Sequence, residues 1–146
     1  MSDANKALAR RVIEEVVNKG NFGALDKIVA GDYTYHEPTL GEVRGRDGYK
    51  ALVTMYRNAF PDVVLTIDEQ IAEGNTVVTR WTGRGTHQGE LMGVAPTGKR
   101  VTVQGIIVSR FKGGKLVEDI EHYDVYGMMR QLGVVKAVPT AAPKAA

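Results

Sequence analysis

DVVLTIDEQIAEGNTVVTRWTGRGTH (residues 62–87) and RVTVQGIIVSRFKGGKLVEDIEHYD (residues 100–124) alternate apolar and polar side chains with a period of two. That period marks half-buried β-strands. The turns EGN and KGG, with the Gly/Pro loop between the two stretches, divide them into four long strands joined mostly by hairpins. Upstream the period is helical. Asp3 is placed to cap a helix through about Asn18, with Leu8, Val12, Ile13 and Val16 on one face and Gly20 as its stop. Asn21 is placed to cap a second, short helix, FGALDKIV, carrying Phe22, Leu25, Ile28 and Val29. DYTYHEP (residues 32–38) reads as an extended, aromatic-rich piece, followed by a polar loop rich in Gly and Arg. A third helix starts at Asp47, repeats Tyr49, Leu52, Val53, Tyr56 and Phe60 at helical spacing, and ends at Pro61. After the strands, VYGMMRQLG forms a last short helix that stops at Gly133.

Helices first and then a run of antiparallel strands make an α+β fold, with helices packed on one face of a curved sheet. The 17 glycines fall mostly in the sheet half. There they permit bulges and sharp curvature, which favours a sheet wrapped around a cavity.

At 146 residues the chain fits one domain with a sizeable core. Its 19 Lys and Arg exceed its 17 Asp and Glu by a net +2. The excess lies in the tail after Gly133, which holds Lys136 and Lys144 and no acid, so the body is neutral. A neutral body lacks the basic stripe that a phosphate backbone or anionic membrane requires, so nucleic acid and membrane are not expected partners. Cysteine is absent, which excludes disulfides, thiol catalysis and thiolate metal sites. The N-terminus MSDANKALARRVIEE has charges throughout and no apolar h-region, and a cytoplasmic protein is expected.

GVAPTGKR (residues 93–100) matches phosphate-loop spacing, but Arg100 stands where the magnesium-binding hydroxyl belongs and a strand follows instead of a helix. It reads as a hairpin loop. His36, His87 and His122 are too far apart for a local metal pair, and no metal site is expected. On the long strand through residues 76–86, either Arg80 or Trp81 points inward. Trp81 would wall an aromatic ligand, and Arg80 would ask for a carboxylate partner. On the last strand, Leu116, Glu118, Ile120, His122 and Asp124 share one face, and Val117, Asp119, Glu121 and Tyr123 the other. The Leu116/Ile120 face is expected to look inward, which places His122 and Asp124 together at the wall of an apolar space, where burial and a neighbouring imidazole tune a carboxyl for proton transfer. The competing reading makes Asp124 the cap of the last helix.

Taken together, NKGNFGALDKIVAGDYTYHEP, the helix ending in AFPD, TRWTGRGTHQGELMGVAPTGKRVTVQGI and GKLVEDIEHYDVYGMMRQLG resemble the SnoaL-like polyketide cyclase (ester cyclase) family of the nuclear-transport-factor-2-like superfamily. The resemblance runs in order from about residue 5 to residue 133. It implies a cone-shaped α+β barrel over residues 1–133, with N-terminal helices closing a hydrophobic pocket, and a flexible tail over residues 134–146. It further implies a homodimer and a small hydrophobic or polycyclic carbonyl ligand. The implied reaction is intramolecular aldol closure of a polyketide-like ester with no cofactor. Asp124 matches the family's acid/base and His122 its supporting residue, while Tyr35, His36, Tyr56, Trp81 and His87 fall in pocket-lining segments. Alternatives on the same fold are an epoxide hydrolase-like site pairing Arg80 with Asp124, a ketosteroid isomerase-like enzyme, and a non-catalytic binder of small hydrophobic ligands.

Overall fold

The computed structural model of the protein describes residues 2–136, so most of the expected tail, from residue 137 onward, lies outside the described residues. Helix α1 (Ser2–Arg11) opens one residue before Asp3, which sits in the first turn where a carboxylate complements the helix dipole. It runs on as a π-helical segment (Val12–Val17) whose Val12, Ile13 and Val16 are buried. The expected cap at Asn21 does not form: its side chain bonds no helix amide, and the second helix is a 3-10 turn (Phe22–Ala24) followed by α2 (Leu25–Ile28). Val29 already begins strand β1 (Val29–Glu37), so the extended piece is longer than its sequence suggested. The Gly- and Arg-rich loop contains a short strand, β2 (Gly41–Arg44). Helix α3 (Gly45–Ala59) follows, starting two residues before Asp47.

The four long strands are present as β3 (Val64–Glu73), β4 (Thr76–Thr86), β5 (Arg100–Lys112) and β6 (Lys115–Tyr123), and helix α4 (Val125–Gln131) closes the order. The phosphate-loop look-alike is a loop between β4 and β5, with Gly93 and Gly98 at positive φ (81° and 71°), and β5 follows it directly. All six strands form one open, curved sheet in the order β2-β1-β6-β5-β4-β3. β1 lies parallel to β6, a long-range pairing that the hairpin pattern did not contain.

Helices α1 and α3 contact the sheet, α1 over β3 and β4 and α3 over β1 and β2. The buried apolar side chains form two clusters: one of Val16, Ile28, Tyr33, Tyr49, Val53, Val77 and Leu116 with their neighbours, the other of Phe60, Trp81, Leu91, Val103, Met128 and Leu132. A cavity of about 130 Å³ is lined by residues of both. Among the described residues no helix is long and apolar enough to cross a membrane.

Candidate active site

The cavity wall is the inner face of the sheet, and its chemistry depends on one irregularity. In the β5–β6 ladder Phe111 pairs with Leu116 but Arg110 pairs with Glu118, which leaves Val117 as an extra residue. Such a bulge reverses the alternation of the strand beyond it. Leu116 faces the core before the bulge, and Asp119, Glu121 and Tyr123 line the cavity after it. Ile120 and His122 therefore turn to the other face.

The expected inward pair is thus corrected. His122 is exposed beside Arg80 and Ile106 on the outer face, in a shallow groove that also contains Asp124. Asp124 is the N-cap of α4: its Oδ1 accepts from the Gly127 amide at 2.8 Å. His36, from the outward-facing set of β1, has its Nε2 3.5 Å from Glu118 Oε2 and does not reach the cavity. His87 is buried in the β4–β5 loop, also outside the cavity lining. It packs on Phe60, its Nδ1 accepts from the Thr97 amide at 3.2 Å, and its Nε2 has no partner among the described residues. Tyr35, Tyr56 and Trp81 do line the cavity. The Arg80-or-Trp81 alternative resolves to Trp81, 6% exposed, while Arg80 faces outward with its Nε 3.4 Å from Glu69 Oε1. The inward Arg80 that an epoxide hydrolase-like set requires is not formed.

Glu121 receives hydrogen bonds from both sides: Tyr35 OH donates to Oε1 at 2.6 Å and Trp81 Nε1 donates to Oε2 at 2.9 Å. Asp119 accepts from Ser109 Oγ at 2.5 Å and from Tyr33 OH at 2.8 Å. The Tyr56 and Tyr123 hydroxyls share a hydrogen bond of 2.5 Å. Each phenol carries one hydrogen, so the pair bridges with one and retains the other for a ligand oxygen. Among the described residues no group of three or more His, Asp or Glu side chains is arranged to hold a metal ion.

Burial raises both carboxyls. Glu121 is pushed up to about 7, by desolvation first and then by the negative Asp119, with the bonds from Tyr35 and Trp81 opposing. Asp119 is pushed up to about 6 by desolvation, against the bonds from Ser109 and Tyr33. Tyr35, Tyr56 and Tyr123 are all raised, first by burial, and stay protonated donors. A carboxyl that titrates near neutrality inside an apolar cavity, flanked by fixed donors, has the requirements of a general base that returns its proton as an acid.

Sequence reasoning missed Glu121, Asp119, Tyr123 and Tyr33. One signal was available: Glu118 and Asp119 are adjacent, so in any register one of them turns inward.

The family model of the SnoaL-like polyketide cyclase matches residues 7–132. The chain is 29% identical over 132 residues to the aklanonic acid methyl ester cyclase DnrD of Streptomyces peucetius, covering 86% of this chain and 88% of that protein. Among solved structures it superposes on AclR of Streptomyces galilaeus, a candidate hydroxylase, with TM-score 0.83 at 30% identity, covering 95% of this chain and 91% of that one. IdmH of Streptomyces antibioticus, a candidate polyketide cyclase, gives TM-score 0.78 at 31% identity, with 89% and 99% covered. A Catenulispora acidiphila protein of ketosteroid isomerase-like fold aligns with TM-score 0.74 at 19% identity, covering 88% of this chain and 93% of that one, a likeness of fold alone.

Proposed function

Because the chain belongs to the SnoaL-like polyketide cyclase family, we propose that it closes a ring in a polyketide-like ester by intramolecular aldol addition, with Glu121 as the acid/base group. The observation that carries this reading is the Glu121 carboxyl, buried in the cavity between the Tyr35 hydroxyl and the Trp81 N–H. Glu121 as carboxylate removes a proton from carbon between two carbonyls. The resulting enolate carbon attacks a ketone of the same molecule, and the new alkoxide takes the proton back from Glu121. One C–C bond forms, one proton moves from carbon to oxygen, and no redox change occurs.

The Tyr56–Tyr123 pair supports the step by offering its free hydroxyl hydrogen to the oxygen on which negative charge develops. The Asp119 carboxyl, held by Ser109 and Tyr33, supports the same step as a neighbour whose negative charge helps to raise the Glu121 carboxyl toward neutrality. The apolar wall folds the substrate so that the reacting carbons meet, an effect that supplies up to about 7–11 kcal/mol in well-oriented intramolecular reactions. The substrate's own carbonyls delocalise the enolate charge, so the reaction needs no cofactor. The outer sheet face around the 45% exposed Ile106, on the opposite side from the cavity, is the surface proposed for the expected homodimer.

Aklanonic acid methyl ester is the compound to test, with ring closure followed by chromatography. The parent protein is expected to convert it, Glu121→Gln to lose at least about 100-fold in rate, the scale of general acid/base catalysis, and Asp124→Asn to retain turnover. Parent-like turnover by Glu121→Gln, or loss confined to Asp124→Asn, overturns the assignment. Binding without conversion in the parent favours the non-catalytic binder.

A further inference from the structure

Trp81 reaches Glu121 because two positions beside it carry no side chain. In the ladders Trp81 pairs with Gly105, and Gly105 pairs with Tyr123, so the three form one inward row across β4, β5 and β6. The Trp81 and Tyr123 rings lean together over the gap, with centroids 6.2 Å apart. A Cβ on Gly105 would lie 2.6 Å from Trp81 Cε2 and 2.8 Å from Tyr123 Cβ. Cε2 is bonded to Nε1, the atom that donates to Glu121, so the ring cannot yield there without moving the donor. Across the indole, a Cβ on Gly83 would lie 2.9 Å from Trp81 Cζ3 and 3.3 Å from Leu65 Cδ1. Neither glycine has a positive φ, so backbone conformation does not demand glycine at either position. The demand is steric.

We propose that Gly105, with Gly83, is a positioning residue: the two form a slot that seats the Trp81 indole and thereby aims its N–H at the Glu121 carboxyl. This deepens the reading of Glu121 as the acid/base group and rests on it, but the measurements below involve no turnover, so the two fail separately.

Trp81 is the single tryptophan, and intrinsic fluorescence reads it alone. In the parent protein its emission is expected to change sigmoidally between pH 5 and 9 as Glu121 ionises, and in Glu121→Gln to lose that transition. In Gly105→Ala, with far-UV circular dichroism unchanged, the transition is expected to move up by about half a pH unit or more, since a lost donor disfavours the carboxylate. A Gly105→Ala transition that superimposes on the parent's overturns the proposal. Parent emission that ignores pH, or responds equally in Glu121→Gln, overturns the Glu121 titration on which the reading rests and leaves the slot to be decided by the double variant below. Where Gly105→Ala alone does not fold, the double variant Trp81→Phe/Gly105→Ala decides. It is expected to fold, with the thermal cost of the alanine at least halved in the Trp81→Phe background. An unfolded double variant, or a cost as large as in the parent, overturns the slot.

Discussion

Strand β6 presents carboxylates to both sides of the sheet, and the two sides share almost nothing in chemistry. On the outer side Glu118 is paired with Arg110 at 3.2 Å and His36 at 3.5 Å in contact with water, and His122 is exposed. On the inner side Asp119 and Glu121 are removed from water and answered only by neutral donors, two tyrosines, a serine and an indole. Desolvation that neutral donors only partly offset lifts a carboxyl toward neutrality. Residue type is therefore a poor guide to function along this strand, and which way the residue turns decides it.

The comparison is broken most completely by inserting one alanine between Glu118 and Asp119, in the regular ladder after the bulge. Beyond the insertion the faces exchange, Glu121 turns to solvent, and Ile120 and His122 turn to the cavity, stranding the hydroxyls of Tyr33 and Ser109. This variant is expected to lose its cooperative urea transition. A cooperative transition with parent-like ligand binding would show that the register after the bulge does not set the faces.

Glu121→Gln comes next, with the loss in ring-closure rate given above, whereas His122→Gln on the opposite face is expected to stay within about twofold, since surface substitutions away from a site change little. Matching losses from both would erase the distinction between the sides.

pH sharpens it further. Glu121 and Asp119 titrate at about 7 and 6 in the fold, against ordinary values of 4.5 and 3.8. The fold thus favours their protonated forms. Their contribution to stability is complete below about pH 4 and is lost as pH rises through about 7, on the order of 3 kcal/mol for Glu121. Thermal denaturation at pH 5 and pH 8 is expected to show a larger fall for the parent than for Glu121→Gln. An equal fall would mean that Glu121 is not held in its neutral form.

The smallest effect concerns Asp124. As an N-cap it is expected to contribute about 1 kcal/mol when replaced by Ala and only a few tenths when replaced by Asn. A loss in urea-derived stability equal for both would indicate a role other than capping.

Much of the scaffold was legible because burial on one face writes itself into the strand period. The four long strands, the helices around Val12 and Val53, and the loop nature of GVAPTGKR follow from local pattern. Asn21 failed as a cap where the chain turns into a 3-10 segment, whose amides its side chain does not bond. β2 was hidden in a polar stretch, since an edge strand of pattern GEVR has no apolar face to show. Of the expected site, Tyr35, Tyr56 and Trp81 reach the cavity, while His36, His87, His122 and Asp124 do not line it.

From residues alone came the α+β order, the neutral body, the positions of most strands and the resemblance to the cyclase family. Tertiary structure alone decided which side of each strand is inside. Alternation specifies a face only relative to its neighbours, and one unpaired residue, Val117, is enough to exchange the faces of everything after it. The pairing of β1 with β6 then brings Tyr33 and Tyr35, 86 residues distant from their partners in the chain, onto Asp119 and Glu121. No local pattern encodes a contact of that span, because it exists only once the sheet has closed around the cavity.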